Sequence, residues 1–159
     1  MELRVGIGVD GHAFEDGIPL VLGGVAIDYP KGLTGHSDGD VVTHALIDAL
    51  LGAASLGDIG SLFPSGDEHY RGASSLDLLW EAYREVRDAG FELVNADCVL
   101  VGEEPRIGDV REEMGERLAA ALGVEAGRVT VRATTMDGLG FTGRGEGLAA
   151  HAVALLGRA

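Results

Sequence analysis

An α/β or α+β fold, one domain over residues 1–159 with helices covering one face of a β-sheet, is what this sequence predicts, and three observations predict it. Segments with the alternating period of strands are interleaved along the chain with segments of helical period. At 159 residues the chain suits one domain, and a domain of that size buries roughly 70% of the surface its unfolded form exposes. Its 26 glycines are scattered among Val, Ile and Leu, which marks turns and close backbone approaches and not a flexible linker.

Taken in order, Arg4 to Val9 has the alternation of a first strand, followed by a loop through Glu15-Asp16-Gly17 and short apolar segments around Val21-Leu22 and from Val25 to Ile27. Asp40 to Ala54 has helical spacing: Val42, Leu46, Ala49, Leu50 and Ala53 recur on one face, and Ser37-Asp38-Gly39 ahead of them supplies capping chemistry. A glycine-rich loop, Gly57-Asp58-Ile59-Gly60, leads to Phe63-Pro64-Ser65-Gly66-Asp67. A second helix runs from Ser74 or Ser75 to Ala89 and stops at Gly90. Phe91 to Val101 is a strand. Pro105 starts a turn or helix that continues through Leu122 and ends at Gly123, and Arg128 to Ala133 is another strand. A loop with four glycines between Gly138 and Gly145 precedes the last strand, Gly147 to Leu156.

Composition narrows the function. Aromatics are few, with four Phe, three Tyr and one Trp, so the core is expected to be aliphatic and alanine-rich. Cys98, the only cysteine, lies in the apolar run Cys98-Val99-Leu100-Val101, where a buried inert thiol is expected. Met1 to Gly8 lacks the basic-then-apolar order of a secretory signal, and no apolar stretch is long enough to span a membrane. A reducing cytoplasm is the expected location. The formal net charge is −14, with eleven arginines and one lysine, Lys31, which speaks against a nucleic-acid or anionic-membrane surface. An anionic substrate would need local positive charge in its site.

Two constellations carry chemistry. Asp10 and His12 stand two apart at the end of a strand pattern, so their side chains leave one face. His44 sits in the first helix, one turn after Asp40 and one turn before Asp48. Asp, His and His suit a catalytic zinc with a fourth position open. Two neutral imidazoles, one carboxylate and Zn²⁺ leave a positive centre able to attract and polarise a phosphoryl oxygen. Asp38 is placed to cap the helix, and His36 beside it is a candidate donor to phosphate. Asp40 and Asp48 are rival partners for the imidazole's other N–H. The second constellation runs from Ala133 to Gly147. Thr134 and Thr135 offer hydroxyls, glycines let backbone donors approach, Asp137 can meet a divalent cation, and Arg144 supplies a guanidinium fork, together suiting a diphosphate.

These segments resemble the 2-C-methyl-D-erythritol 2,4-cyclodiphosphate synthase family. The matching pieces are Gly8 to Phe14, Gly35 to Ala45, Ala49 to Ala54, Leu56 to Pro64, Arg132 to Thr135 and Leu139 to Gly147, in family order and spacing over nearly the whole chain. The resemblance implies a homotrimer with each active site shared between neighbouring subunits. It implies that the 2-phosphate of 4-diphosphocytidyl-2-C-methyl-D-erythritol 2-phosphate attacks the β-phosphorus, closing a cyclodiphosphate and expelling CMP. By the same resemblance Asp10, His12 and His44 bind zinc, and a second cation, Mg²⁺ or Mn²⁺, bridges the diphosphate near Asp137. His36 and Thr135 match positions assigned to transition-state stabilisation. By the resemblance Asp10, Gly11, His12, His36 and Ser37 bind substrate, and Asp58, Ile59 and Gly60, with Phe63, Pro64, Ser65, Gly66 and Asp67, hold the methylerythritol phosphate. Gly102, Glu103, Glu104, Pro105, Arg106, Ile107 and Gly108 frame the cytidine and its phosphates with Thr134, Thr135, Met136 and Asp137. Phe141 and Arg144 match residues near the trimer axis, where the family can hold an isoprenoid diphosphate.

Three departures stand out. Asp137 replaces a usual Glu, Met136 stands where a small polar residue is commoner, and Arg106 replaces a frequent Lys, keeping charge but not geometry. His69 and His151 match no motif; surface and strand positions are expected for them. Two rival functions are a zinc phosphohydrolase and a non-catalytic trimer that binds isoprenoid diphosphates.

Overall fold

The chain is described here by a computed structural model covering residues 1–64 and 66–159; Ser65 lies outside the described residues. β1 (Glu2–Asp16) alternates Leu3, Val5, Ile7 and Val9 on one face with Arg4, Gly6, Gly8, Asp10 and His12 on the other. It runs far beyond the expected end at Val9, because ladder partners reach Glu15 and Asp16. β2 (Leu20–Leu22) and β3 (Val25–Ile27) form a small hairpin, and β4 (Lys31–Leu33) pairs antiparallel with the far end of β1, setting Asp16 opposite Lys31. Two acidic residues that look like a loop are thus held by backbone pairing, and opposite charges face each other across the strands.

The first helix, α1 (Val41–Ala53), is buried almost all round rather than along one stripe, as befits a helix enclosed by other elements. It packs on β1 on one side and on a later helix on the other. Its cap is Asp40, not Asp38. The Asp40 carboxylate is fully buried and accepts from the Thr43 N–H, the Thr43 hydroxyl and the N–H groups of Gly23 and Gly24. It therefore also ties the β2–β3 hairpin to the start of α1. Burial pushes its pKa up against these bonds.

Next come α2 (Ile59–Leu62), one turn long, and α3 (Ser75–Asp88), which lies over α1. β5 (Glu92–Val101) follows. Helix α4 (Arg111–Leu122) starts six residues later than Pro105; the intervening residues form a loop. Gly123 closes α4 in the left-handed conformation that glycine favours. β6 (Val129–Thr134), the one-turn α5 (Gly140–Gly143) inside the glycine loop, and β7 (Gly147–Arg158) complete the chain. The five-stranded sheet has the order β4-β1-β7-β5-β6, antiparallel except for the parallel β5–β6 pair. This is an α+β fold with helices on one sheet face.

Two glycines bring α1 onto the sheet. A Cβ on Gly6 would lie 2.1 Å from the Ala49 carbonyl oxygen, and one on Gly8 would lie 1.9 Å from that of Ala45. Only glycine lets helix backbone and strand backbone meet this closely. The contact sets the height of α1 over β1, and so the position of His44 over Asp10 and His12. The core is aliphatic and alanine-rich, and Cys98 is buried within it, its thiol pushed up to about 12 by burial. The other sheet face is uncovered: Leu3, Val5, Ile7 and Val9 are 55–70% exposed. His151 lies in the same open face, paired across the strands with Val9 and Val99.

Candidate metal centre

Strand and helix converge on one point. Asp10 Oδ2 lies 2.8 Å from His12 Nε2 and 3.1 Å from His44 Nδ1, and the two ring nitrogens are 3.4 Å apart. A tetrahedral zinc with bonds of roughly 2.0–2.1 Å needs ligand atoms about 3.3 Å from one another. Oxygen and two nitrogens at these separations fit that cation, and their lone pairs face a common position. Among the described residues this is the cluster of His, Cys, Asp and Glu able to hold a metal ion. Burial works to raise the Asp10 pKa, but hydrogen bonds with His12 and His44 outweigh it and hold the carboxyl at about 2. Burial likewise disfavours a charged His44, yet Asp10, aided by Asp40 and Asp38, raises its pKa. The pocket therefore carries negative potential where a cation would sit.

His44 takes neither expected partner for its other nitrogen. Asp40 is committed to the cap and hairpin, and Asp48 accepts instead from the Ile59 N–H at 2.7 Å. The His44 Nε2 faces two hydroxyls, Ser37 and Ser75, each at 2.9 Å. Asp38, expected to cap α1, reaches α3: one oxygen accepts from the Ser75 N–H at 3.0 Å and the other from the Ser75 hydroxyl.

A cleft of about 470 Å³ opens beside the triad, lined by Asp10, His12, His36, Ser37, His44, Ile59, Gly60, Phe63, Pro64, Gly66, Tyr70 and Leu78. Most of the residues predicted for a methylerythritol phosphate are gathered here. Asp58 is not in the wall; it caps α2 through the Ser61 N–H. Asp67 also stays outside it, but its carbonyl oxygen accepts from His36 Nε2 at 3.2 Å, fixing that ring at the rim. Gly11 turns away to the open face, where its Cβ would lie 3.5 Å from the Phe141 ring. Tyr70, Leu78 and Ser75 were missed. Tyr70 stacks edge-on against Phe63 at 5.1 Å, while Leu78 and Ser75 carry no sequence signal beyond helix phase and helix start.

The Thr134–Asp137 part of the second constellation is elsewhere on the same sheet end, while Phe141 reaches Gly11 on β1. Gly11 pairs with Ala149, Ala149 with Val101, and Val101 with Thr134. Three strand spacings separate Gly11 from Thr134, about 14 Å. The Gly102 N–H donates to the Thr134 carbonyl at 3.0 Å, so the Gly102–Gly108 loop and Thr134–Asp137 lie side by side. In the first loop Ile107 is buried, whereas Glu104, Arg106 and Gly108 are exposed. Glu103 Oε2 is buried with no hydrogen-bond partner among the described residues. Thr134, Thr135, Met136 and Asp137 are all exposed. Asp137 has φ +54°, a left-handed conformation that Asp tolerates, and its N–H donates to Thr135 Oγ1 at 3.3 Å. Arg144 closes its fork on Glu146 at 2.8 and 3.3 Å, and Phe141 stands half-exposed beside it. None of these residues lines the triad cleft.

Fold and site define a class: an α+β protein with three side chains able to hold a metal ion at the rim of a cleft. Residues 3–157 match the YgbB family, and the chain belongs to that family. A Rubrobacter xylanophilus protein named 2-C-methyl-D-erythritol 2,4-cyclodiphosphate synthase is 61% identical over 159 residues, 98% of this chain and 96% of its own length. A protein of the same name from Moorella thermoacetica is 56% identical over 97% of this chain and 94% of its own length. A solved structure of 2C-methyl-D-erythritol-2,4-cyclodiphosphate synthase in a CDP-bound form matches with TM-score 0.88 and 40% identity, over 97% of this chain and 100% of that one. No helix among the described residues is long and apolar enough to cross a membrane.

Proposed function

We propose that Asp10, His12 and His44 hold zinc for the reaction of this family, the conversion of 4-diphosphocytidyl-2-C-methyl-D-erythritol 2-phosphate to 2-C-methyl-D-erythritol 2,4-cyclodiphosphate in the non-mevalonate route to isoprenoid precursors. An oxygen of the 2-phosphate bonds to the β-phosphorus, the bond from that phosphorus to the CMP oxygen breaks, and CMP leaves. Zinc, when bound, supplies Lewis-acid polarisation of a phosphoryl oxygen. The convergence of one oxygen and two nitrogens at 2.8–3.4 Å carries the reading.

The remaining roles belong to the protein's own groups. His36, oriented by the Asp67 carbonyl, and the Thr135 hydroxyl donate hydrogen bonds to charge developing on the transferred phosphoryl group. Ser37, Ile59, Gly60, Phe63, Pro64 and Gly66 seat the methylerythritol phosphate, with Tyr70 and Leu78 adding to the apolar wall. The Gly102–Gly108 loop and Thr134–Asp137 receive the cytidine diphosphate, and Asp137 would hold a Mg²⁺ or Mn²⁺ ion, which would supply positive charge to neutralise the phosphates. The relative solved with CDP supports a cytidine nucleotide as ligand.

The Gly11 and Thr134 backbones lie about 14 Å apart across the sheet, and none of the loop residues lines the triad cleft. A homotrimer in which each subunit supplies one wall accounts for that separation. The open sheet face supports it: Leu3, Val5, Ile7, Val9 and Val153 remain 44–70% exposed, and covering each contributes on the order of 1 kcal/mol. Phe141 and Arg144 then lie near the symmetry axis, suited to an isoprenoid diphosphate, and the enzyme works in the cytoplasm.

The test is CMP release by the purified protein with and without a zinc chelator, with ³¹P NMR of the product. A cyclic diphosphate, lost on chelation and restored by zinc, is expected. Linear phosphate with inorganic phosphate would show a hydrolase, and chelator-insensitive cyclisation would overturn the zinc assignment. Sedimentation of a stable, fully active monomer would refute the shared site.

A further inference from the structure

We propose that Asp48 is a positioning residue: by accepting the Ile59 N–H it holds the Ile59–Gly60 wall of the cleft at a set distance from the triad. This rests on that cleft being the seat of the methylerythritol phosphate. Asp48 lies on α1 one turn after His44, about 6 Å along the helix axis, and its carboxylate accepts from the Ile59 N–H at 2.7 Å. Only one direction is possible for this bond, because a backbone N–H can only donate. Ile59 and Gly60 line the cleft, whereas Asp48 does not. Asp48 therefore acts on a ligand through the turn it holds, and one rigid helix carries both a triad member and the anchor of the opposite wall.

The turn has little else to hold it. None of the four residues of α2 is buried, and Ile59 and Leu62 rest on the core only in part. Its capping bonds, between Asp58 and Ser61, stay within the turn. Among the described residues, the bond from Ile59 to Asp48 is the one hydrogen bond that joins residues 57–62 to another element. Packing alone would not select Asp48. Every other side chain of α1 is buried, and a carboxylate in such surroundings is costly unless it is bonded. Burial raises the Asp48 pKa, the Ile59 N–H works against that, and the carboxylates of Asp58 and Asp10 raise it further. The position thus disfavours a charge and uses an acceptor.

Two variants test this. Asp48→Ala removes the acceptor, and Asp48→Asn keeps an acceptor oxygen without the charge. In CMP-release assays with 4-diphosphocytidyl-2-C-methyl-D-erythritol 2-phosphate, Asp48→Ala should raise KM roughly tenfold. Its kcat should fall by no more than about threefold, because the turn holds the substrate alike in ground and transition states. Asp48→Asn should return KM to within about twofold of the parent. A residue that only supports the fold would lower the active fraction, and so kcat, with KM unchanged; that result overturns the proposal, as does an Asp48→Asn variant as impaired as Asp48→Ala. The second measurement needs no turnover. In the protein without substrate, hydrogen exchange of the Ile59 amide should be roughly tenfold faster in Asp48→Ala than in the parent or Asp48→Asn. Equal exchange in the parent and Asp48→Ala would show that Asp48 does not hold the turn. A parent protein that forms no cyclic product yet shows the expected exchange pattern would refute the proposed function and leave the hold of Asp48 on the turn intact.

Discussion

The Asp10–His12–His44 cleft and the Thr134–Asp137 loop lie at the same end of one sheet, yet they are built in opposite ways. In the cleft, the liganding groups are largely shielded and each has partners in its own chain: Asp10 meets two imidazoles, His44 meets two serines, and Ser75 meets Asp38. In the loop, four successive residues are exposed, and Thr135 and Asp137 bond chiefly to each other. A small cation needs ligands held to within a fraction of an ångström, which a helix pressed onto a strand can supply. A diphosphate needs donors that can close around it, and exposed glycine-rich loops can supply them. Substitutions that lift α1 from β1 should therefore disturb fold and metal together, whereas those in the loop should disturb catalysis alone.

The strongest way to break that contrast is at Gly8. A Cβ there would meet the Ala45 carbonyl at 1.9 Å, and neither backbone can yield without lifting α1 from β1. Gly8→Ala should cost roughly 4 kcal/mol or more, lowering the melting temperature by about 10 °C and abolishing stoichiometric zinc binding. In the loop, Gly138 has φ +81° and nothing within 4 Å of its Cβ position, so Gly138→Ala should cost only about 1 kcal/mol. Equal melting temperatures for the two variants would show that the approach of α1 to the strand does not set the fold.

His44→Ala separates metal from fold within the cleft. Loss of one of three ligands should remove bound zinc. The polarisation lost with it is worth several kcal/mol, so CMP release should fall on the order of 10³-fold. Circular dichroism should stay that of the parent, since the side chain lies at the cleft and not in the aliphatic core. Stoichiometric zinc with near-normal turnover would sink the assignment.

How much of this was visible beforehand follows from how local each cause is. The Asp10–His12 pair, the helix of residues 40–54 and the loop glycines are local patterns, and they stand in the structure where the spacing put them; His44 joins the pair only because α1 packs on β1. The end of β1 was hidden because Glu15 and Asp16 look like a turn until β4 pairs with them. Asp38 and Asp40 are both chemically fit to cap α1, and the choice depended on Gly23 and Gly24 arriving from the β2–β3 hairpin. The partner of His44 was sought one helical turn away, at Asp40 or Asp48, whereas tertiary packing supplies it from α3. Arg144 was expected to present a free fork, but Glu146, two residues on, takes it in the isolated chain.

Thr135→Ala tests the loop half directly. If its hydroxyl donates to the transition state, turnover should fall roughly 10²-fold. The residue is exposed, so stability should stay within about 0.5 kcal/mol of the parent, with zinc content unchanged. A matching loss of zinc or of melting temperature would mean that the two regions are coupled within one chain, contrary to their separation across the sheet.

The smallest effect is expected at Asp137, where the shorter carboxylate replaces the usual Glu. It is the only acidic group between Thr135 and Glu146, and so the natural partner for a cation bridging the phosphates. Its side chain is exposed, beside the Thr135 hydroxyl at 3.4 Å, and Mg²⁺ readily keeps waters between itself and a carboxylate. An exposed, solvent-screened charge acting through water contributes on the order of 1 kcal/mol, so Asp137→Asn should slow catalysis roughly fivefold. The Mg²⁺ or Mn²⁺ titration should shift to higher concentration, because substrate charge is then neutralised with one fewer anchor for the ion. Zinc content should remain stoichiometric, since Asp137 is no member of the triad. An unaltered rate and Mg²⁺ titration would mean that the substrate phosphates hold the second cation unaided. Loss of zinc in the same variant would show that the exposed loop reaches the cleft, and the separation between the two regions would fail.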